Sequence, residues 1–255
     1  MAPLSASDTA LRARSVSPAV LALLDRPRPV AARVLGAGYL AVGERVVAVE
    51  PAGAPRMPNG IACDLRAEPD EAVWIGAGRL RTGAVAVTAG PVWDPRPHAR
   101  ARLGTGVRAV PDALALAGHG PGLTPYGDDV LAGFAAGLVL WHDEHERAAA
   151  LAEAAAPRTT LLSATLLRHA ARGELPEPAH ALLEHGDPAP LCRFGSSSGR
   201  GIMLGLALAC GAAPEGPIAV RAPPLPALGD AEPTVWVTPP GAPAAGGART
   251  APARG

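Results

Sequence analysis

The sequence contains no lysine and no glutamine, and Asn59 is its single asparagine. Its basic residues are therefore all arginine. The missing lysine excludes Schiff-base chemistry, a lysine-anchored pyridoxal phosphate and any P-loop that needs its lysine. The shortage of side-chain amides leaves polar recognition to arginine, hydroxyls and backbone N–H groups. Excess charge is missing too: 23 basic residues balance 23 acidic ones, which argues against a protein built to coat nucleic acid or an anionic membrane. Cysteine is sparse. Cys63, Cys192 and Cys210 are far apart and form no C-x-x-C pair, which fits a reducing cytoplasm and offers no structural zinc site. They sit in apolar surroundings and read as small core residues. Long hydrophobic runs are absent as well. The longest, 130–141 and 202–213, are about 12 residues against the roughly 18–20 of a bilayer span. Val20 to Leu24 is too short for a secretory core and follows Asp8.

What is present is lopsided. Gly 30 and Pro 29 together exceed a fifth of the 255 residues, while aromatics make up only 3%, so an isolated glycine carries little motif information here. Ser17-Pro18 followed by an apolar run predicts a short first helix, with a hydroxyl cap and proline at its first position. From Val30 to about Val92 the texture is of short β-rich pieces broken by Gly and Pro: Val34-Leu35, 39–42, 45–49 and 84–88, with Gly43-Glu44 as a tight turn. Regular strand spacing suggests a small antiparallel sheet or barrel. Past His98 the pattern is helical, over 111–117, 128–141, 144–156, 160–171, 178–185 and 198–210. Leu131, Phe134, Ala135, Leu138 and Trp141 keep the spacing of a buried stripe. The reading is an α+β chain: an N-terminal segment with a short helix (1–29), a β-rich domain (30–98), a helical bundle (99–213) and a Pro/Ala/Gly-rich, partly disordered tail (214–255).

Three segments can carry chemistry. The first runs from Gly118 to Asp129. A glycine-rich turn with Gly122 leads into Thr124-Pro125, a hydroxyl cap with proline at the first helical position, and then Asp128 and Asp129 enter the opening turn. A well-capped helix explains much of this, because carboxylates suit the positive helix end. Gly127 does not fit that account. It weakens a first turn by up to about 1 kcal/mol, so something approaches its backbone closely. Asp128 and Asp129 point about 100° apart on a helix, so one can hold the loop while the other faces a ligand. The second segment, Gly195-Ser196-Ser197-Ser198-Gly199-Arg200-Gly201, opens an apolar helix and reads as an anion cradle or as a flexible capped connector. The third, Arg158-Thr159-Thr160 with Ser163, reads first as a helix cap with a surface serine. His142 and His145 have metal-compatible spacing but sit in a charge-rich run that suits a solvated helix junction.

Gly122-Leu123-Thr124-Pro125-Tyr126-Gly127-Asp128-Asp129, opening a helix, resembles a family long classed as a domain of unknown function. That family includes a subunit of the oxamate carbamoyltransferase of allantoin degradation. The run from Thr159 to Gly173 is similar to its middle helix, and Gly195 to Gly205 to its later Ser-Gly motif, in the same order. Tyr126 stands where a small residue, usually serine, is expected, and Ser196 where histidine is frequent. The resemblance implies carbamoyl transfer between carbamoyl phosphate and a small 2-oxo-acid amide such as oxamate, or the splitting of oxalurate by phosphate. It also implies companion subunits. On this reading Ser197, Ser198 and Arg200, with Gly122, Gly127, Thr160 and Gly199, bind the small anionic substrate. Thr124 and backbone N–H groups polarise the carbamoyl carbonyl, and Asp128 or Asp129 orients the attacking nitrogen or accepts its proton. No cofactor, metal, nucleic acid or membrane is expected. Two other readings stay open: a non-catalytic module that senses a small organic acid, and a hydrolase whose Asp128 and Asp129 ligate a divalent metal. All of them need Thr124 and Ser198 to gather around one small site.

Overall fold

The computed structural model describes residues 9–36, 38–68, 70–98 and 110–211. The expected tail at 214–255 lies outside these residues, as does the start of the helical region at 99–109. Nine strands form one sheet: β1 (Thr9–Arg12), β2 (Ser15–Val16), β3 (Val30–Gly36), β4 (Tyr39–Val42), β5 (Arg45–Glu50), β6 (Gly60–Ala62), β7 (Val73–Gly76), β8 (Arg79–Thr82) and β9 (Val85–Thr88). Their order is β1-β9-β8-β7-β3-β4-β5-β6-β2. The two outermost strands of that order, β1 and β2, are thus consecutive in sequence, linked only through Ala13 and Arg14. A two-residue link cannot span an open nine-stranded sheet at strand spacings of about 4.8 Å, so the sheet curls until its edges approach. Hydrogen bonds from Ala13 N to Thr88 O and from Arg14 N to Ala62 O record the crossing.

The expected α+β organisation is present, with a curled sheet first and helices after it. The sheet is mostly antiparallel, but β1 with β9 and β5 with β6 pair in parallel. The β1–β9 pairing joins segments at opposite ends of the sheet sequence, which strand spacing does not reveal. Residues 9–16 also enter the sheet, upstream of the β-rich texture at Val30. Local chemistry accounts for the tight turns: Gly43, at φ +60°, turns β4 into β5, so that Val42 faces Arg45. α1 (Pro18–Leu24), capped by the Ser17 side chain on Val20 N, seats Val20, Leu23 and Leu24 among Ile61, Ile75, Leu80 and Val87. The first helix is therefore the plug of the curled sheet.

The helices are α2 (Ala113–Leu116), α3 (Tyr126–His142), α4 (His145–Ala155), α5 (Leu161–Ala170), α6 (Glu177–His185), α7 (Ala189–Cys192) and α8 (Ser198–Ala209). α3 is the axis. Its buried face, with Val130, Leu131, Phe134, Leu138 and Trp141, joins Leu167, Ile202, Leu206 and Leu208 in a second core. α3 and α8 cross closely because their contact is made of glycine. A Cβ on Gly205 would stand 2.1 Å from the Val130 carbonyl oxygen, and one on Gly133 2.1 Å from that of Ile202. Among the described residues no helix is long and apolar enough to cross a membrane. The cysteines do not share one fate. Cys63 is buried in the sheet core, as its surroundings suggest, but Cys192 is exposed at the end of the short α7.

Candidate functional site

The first two motifs meet. Thr124 Oγ1 and Ser198 Oγ form a hydrogen bond of 3.0 Å across 74 residues of sequence, where the loop before α3 reaches the first turn of α8. The third motif adjoins them. The Thr160 hydroxyl donates to the Leu123 carbonyl at 2.6 Å and accepts from Ser163 N at 3.0 Å. α3, α5 and α8 thus begin around one loop, 122–125, and hydroxyl groups tie it down.

The details amend the sequence reading. Thr124 does not cap α3; Pro125 occupies the cap position with no side-chain bond, and Tyr126 is the first helical residue. Proline there frees the Thr124 hydroxyl for Ser198. Thr160 is a cap, with both its donor and acceptor functions used inside the chain. Ser163 is buried under Leu123 rather than on the helix surface. At α8 Ser197 takes the cap position without a side-chain bond, and Ser198 opens the helix.

The close approach at Gly127 is real, but it comes from the chain itself. A Cβ on Gly127 would lie 2.1 Å from the Leu116 carbonyl oxygen, and its N–H donates to the His119 carbonyl. The amides of Asp128 and Asp129 donate to the Pro125 carbonyl. This part of the α3 start is therefore filled by its own preceding loop, and the amides of Gly127, Asp128 and Asp129 are engaged within the chain. Gly199 is occupied likewise, donating to the Phe194 carbonyl beneath the Leu191 carbonyl oxygen. Gly122, at φ +98°, is exposed with nothing near its α-carbon. Arg200 is also exposed.

The two aspartates divide as their angular separation requires. Asp128 accepts from Gly118 N at 2.8 Å through Oδ1 and from the Thr159 hydroxyl through Oδ2. Both oxygens are used, so it clamps the Gly118 loop and the start of α5 onto α3. Asp129 is 5% exposed, and among the described residues its Oδ2 has no hydrogen-bond partner. Burial pushes its carboxyl well above the usual range; the Ser198 hydroxyl opposes the shift, and the Asp128 carboxylate adds to it. Burial likewise raises the phenol of half-buried Tyr126, with the Asp129 carboxyl adding and Arg200 opposing.

The arrangement offers a cluster of hydroxyls backed by a sealed carboxyl, with an arginine at the rim. It does not suit a metal. Asp128 has no free oxygen, and among the described residues no group of three His, Cys, Asp or Glu side chains is placed to hold an ion. Sequence reasoning treated Thr159 only as part of a cap, although it secures Asp128. The signal was the Thr159-Thr160 doublet, where one hydroxyl suffices for a cap and the other needs a different partner.

Residues 116–210 match the family model described as oxamate carbamoyltransferase subunit AllH. No curated protein and no solved structure gives a significant match.

Proposed function

We propose, from the match of residues 116–210 to the family model described as oxamate carbamoyltransferase subunit AllH, that this chain is a subunit of a carbamoyltransferase. Its substrate is a small 2-oxo-acid amide, handled at the junction of α3, α5 and α8. The observation that carries the reading is the Thr124–Ser198 contact, which joins the strongest stretch of the resemblance to its later Ser-Gly stretch. In the catabolic direction phosphate attacks the carbamoyl carbon of oxalurate. The bond to the oxamate nitrogen breaks, that nitrogen takes a proton, and carbamoyl phosphate leaves.

Each participant is a small molecule rich in oxygen acceptors, and the cluster supplies matching donors. Ser197, Ser198 and Arg200 suit a phosphate or carboxylate. Thr124 reaches the carbamoyl oxygen, where charge grows as the carbon becomes tetrahedral. Asp129 lies behind Ser198 as the carboxyl of the site, and Asp128 holds the loop. Gly122 leaves the loop open above them. Companion subunits complete the enzyme, and the exposed Leu123 side chain, 45% accessible beside the cluster, suits the rim of such a contact.

The test is oxalurate phosphorolysis by the complex that copurifies with this chain. Ser198→Ala is expected to lower kcat/KM at least tenfold, as loss of a site hydroxyl does. Unchanged turnover rejects the site, and oxalurate binding without any turnover by the complete complex identifies a sensing module instead.

A further inference from the structure

We infer that Asp129, Ser198 and Thr124 form a hydroxyl chain of fixed direction, in which a proton held on Asp129 makes Thr124 a hydrogen-bond donor to a carbonyl or anionic oxygen of the ligand. The inference rests on the site proposed above and specifies what that site recognises.

Three observations carry it. First, among the described residues Asp129 Oδ2 is sealed without a partner. In a carboxylate that oxygen would bear charge with neither water nor a donor to meet it, a costly state; in a carboxylic acid it is a neutral carbonyl oxygen, which tolerates isolation far better. Second, among the described residues no cation compensates within the pocket. The chain has no lysine, Arg200 is exposed, and the neighbouring Asp128 pushes the Asp129 carboxyl further towards its neutral form. Tyr126, on the same turn, is itself held protonated chiefly by burial. Third, the α3–α8 crossing fixes the geometry. A Cβ on Gly201 would fall 2.6 Å from the Asp129 Cβ, so only glycine there lets the first turn of α8, whose Ser198 hydroxyl acts on the carboxyl, pack this close.

The direction follows from the proton count. A protonated Asp129 donates to Ser198 Oγ. Ser198 then spends its own proton on Thr124 Oγ1 at 3.0 Å, and among the described residues the Thr124 O–H has no acceptor left, so it points to the ligand. An ionised Asp129 would reverse every bond and present Thr124 as an acceptor. Burial of the carboxyl shifts its titration in the direction that keeps the proton. Asp129 is a positioning residue in this arrangement, and Thr124 is the group that touches the ligand.

Two measurements test the chain. In infrared difference spectra at neutral pH the wild-type protein should show a carboxylic-acid C=O band that Asp129→Asn removes and Glu50→Gln does not. Absence of such a band overturns the proposal whatever the substrate. In calorimetric titrations with oxamate, oxalurate and inorganic phosphate, Asp129→Ala and Thr124→Val should each weaken binding at least tenfold. Asp129→Asn, whose amide donates to Ser198 as the acid does, should recover most of the Asp129→Ala loss. Failure of Asn to rescue, with melting temperatures matched, shows an ionised Asp129 and overturns the chain. Thr124→Val carries the second arm should Asp129→Ala fold poorly. Binding of phosphate alone, with the same variant pattern, supports the chain and refutes only the oxamate reading. Binding of none of the three overturns the chain as a ligand site.

Discussion

Neighbouring carboxyls on one helical turn have opposite fates here because each meets a different surface. Asp128 faces two donors and is consumed by them; Asp129 faces α8 and keeps one oxygen unmatched. Asp128→Ala orphans the Gly118 amide and the Thr159 hydroxyl and is expected to destabilise the protein by about 1–3 kcal/mol, read from urea denaturation. A lost activity with unchanged stability would show that Asp128 does more than clamp. The sole asparagine tells the same story of context, since Asn59 donates from Nδ2 to the Val46 carbonyl at 2.9 Å and plays no part in the site. Glu50 makes a further residue-scale prediction. Buried at the end of β5, with Oε1 accepting from Met57 N at 2.6 Å, its carboxyl is raised from 4.5 to about 8, chiefly by burial. A raised carboxyl binds its proton more tightly folded than unfolded, so folding stability falls as pH rises from about 4.5 to 8 and then levels. Asp129 adds to the same slope. Glu50→Gln, which keeps the Met57 bond, is expected to flatten the curve in chemical denaturation between pH 5 and 8.5; an unchanged slope places the proton elsewhere.

At the scale of elements, the helices were legible and most of the smaller strands were not. The expected 128–141 and 198–210 became Tyr126–His142 and Ser198–Ala209, because a long apolar stripe of period 3.6 has one good solution. β6 to β8 are three or four residues long, too short to show a period. β7 and β8 are joined by Ala77-Gly78, where Ala77 takes φ +49° without any sequence signal. The α3–α8 crossing was hidden for another reason. In a chain this rich in glycine, Gly133, Gly201 and Gly205 do not stand out, yet each marks a backbone contact that no side chain permits. Gly205→Ala would force its methyl against Val130 O and Phe134 N. It is expected to cost about 1–3 kcal/mol by overpacking, seen as a lowered Tm, and to loosen the Thr124–Ser198 pair with it. A stability equal to wild type would show that the helices separate at little cost.

Over the whole molecule, the helical half is docked on the curled sheet by polar groups. Thr165 Oγ1 accepts from Val46 N at 3.1 Å, while Glu177 receives Arg56 N at 2.9 Å and the guanidinium at 2.5 Å. Leu175 N donates to the Pro95 carbonyl, the Arg56 guanidinium lies 5.0 Å above the Trp93 ring, and that ring packs at 5.3 Å against His180. The Arg56–Glu177 pair is more than a third exposed on both sides, so solvent screens it and its own contribution is modest. Thr165 is the stronger link because it is buried. Thr165→Val leaves the Val46 N–H without an acceptor, and the expected loss is about 1–3 kcal/mol. Coincident unfolding by far-ultraviolet circular dichroism and by tryptophan fluorescence should persist in wild type; separate transitions in the variant would show the two units parting.

The sequence by itself determined the two textures, the positions of the longer helices and the residues that come together near Thr124. Those features follow from periodicity, capping chemistry and motif order, which are local properties of the chain. Only the tertiary structure decided which of two adjacent aspartates is spent on the loop, that the amides at Gly127, Asp128 and Asp129 are already satisfied, and that the two short strands within residues 9–16 bring the edges of the sheet together. Each of these depends on which distant group arrives beside a residue, and a carbonyl such as that of Leu116 has no side chain to announce it.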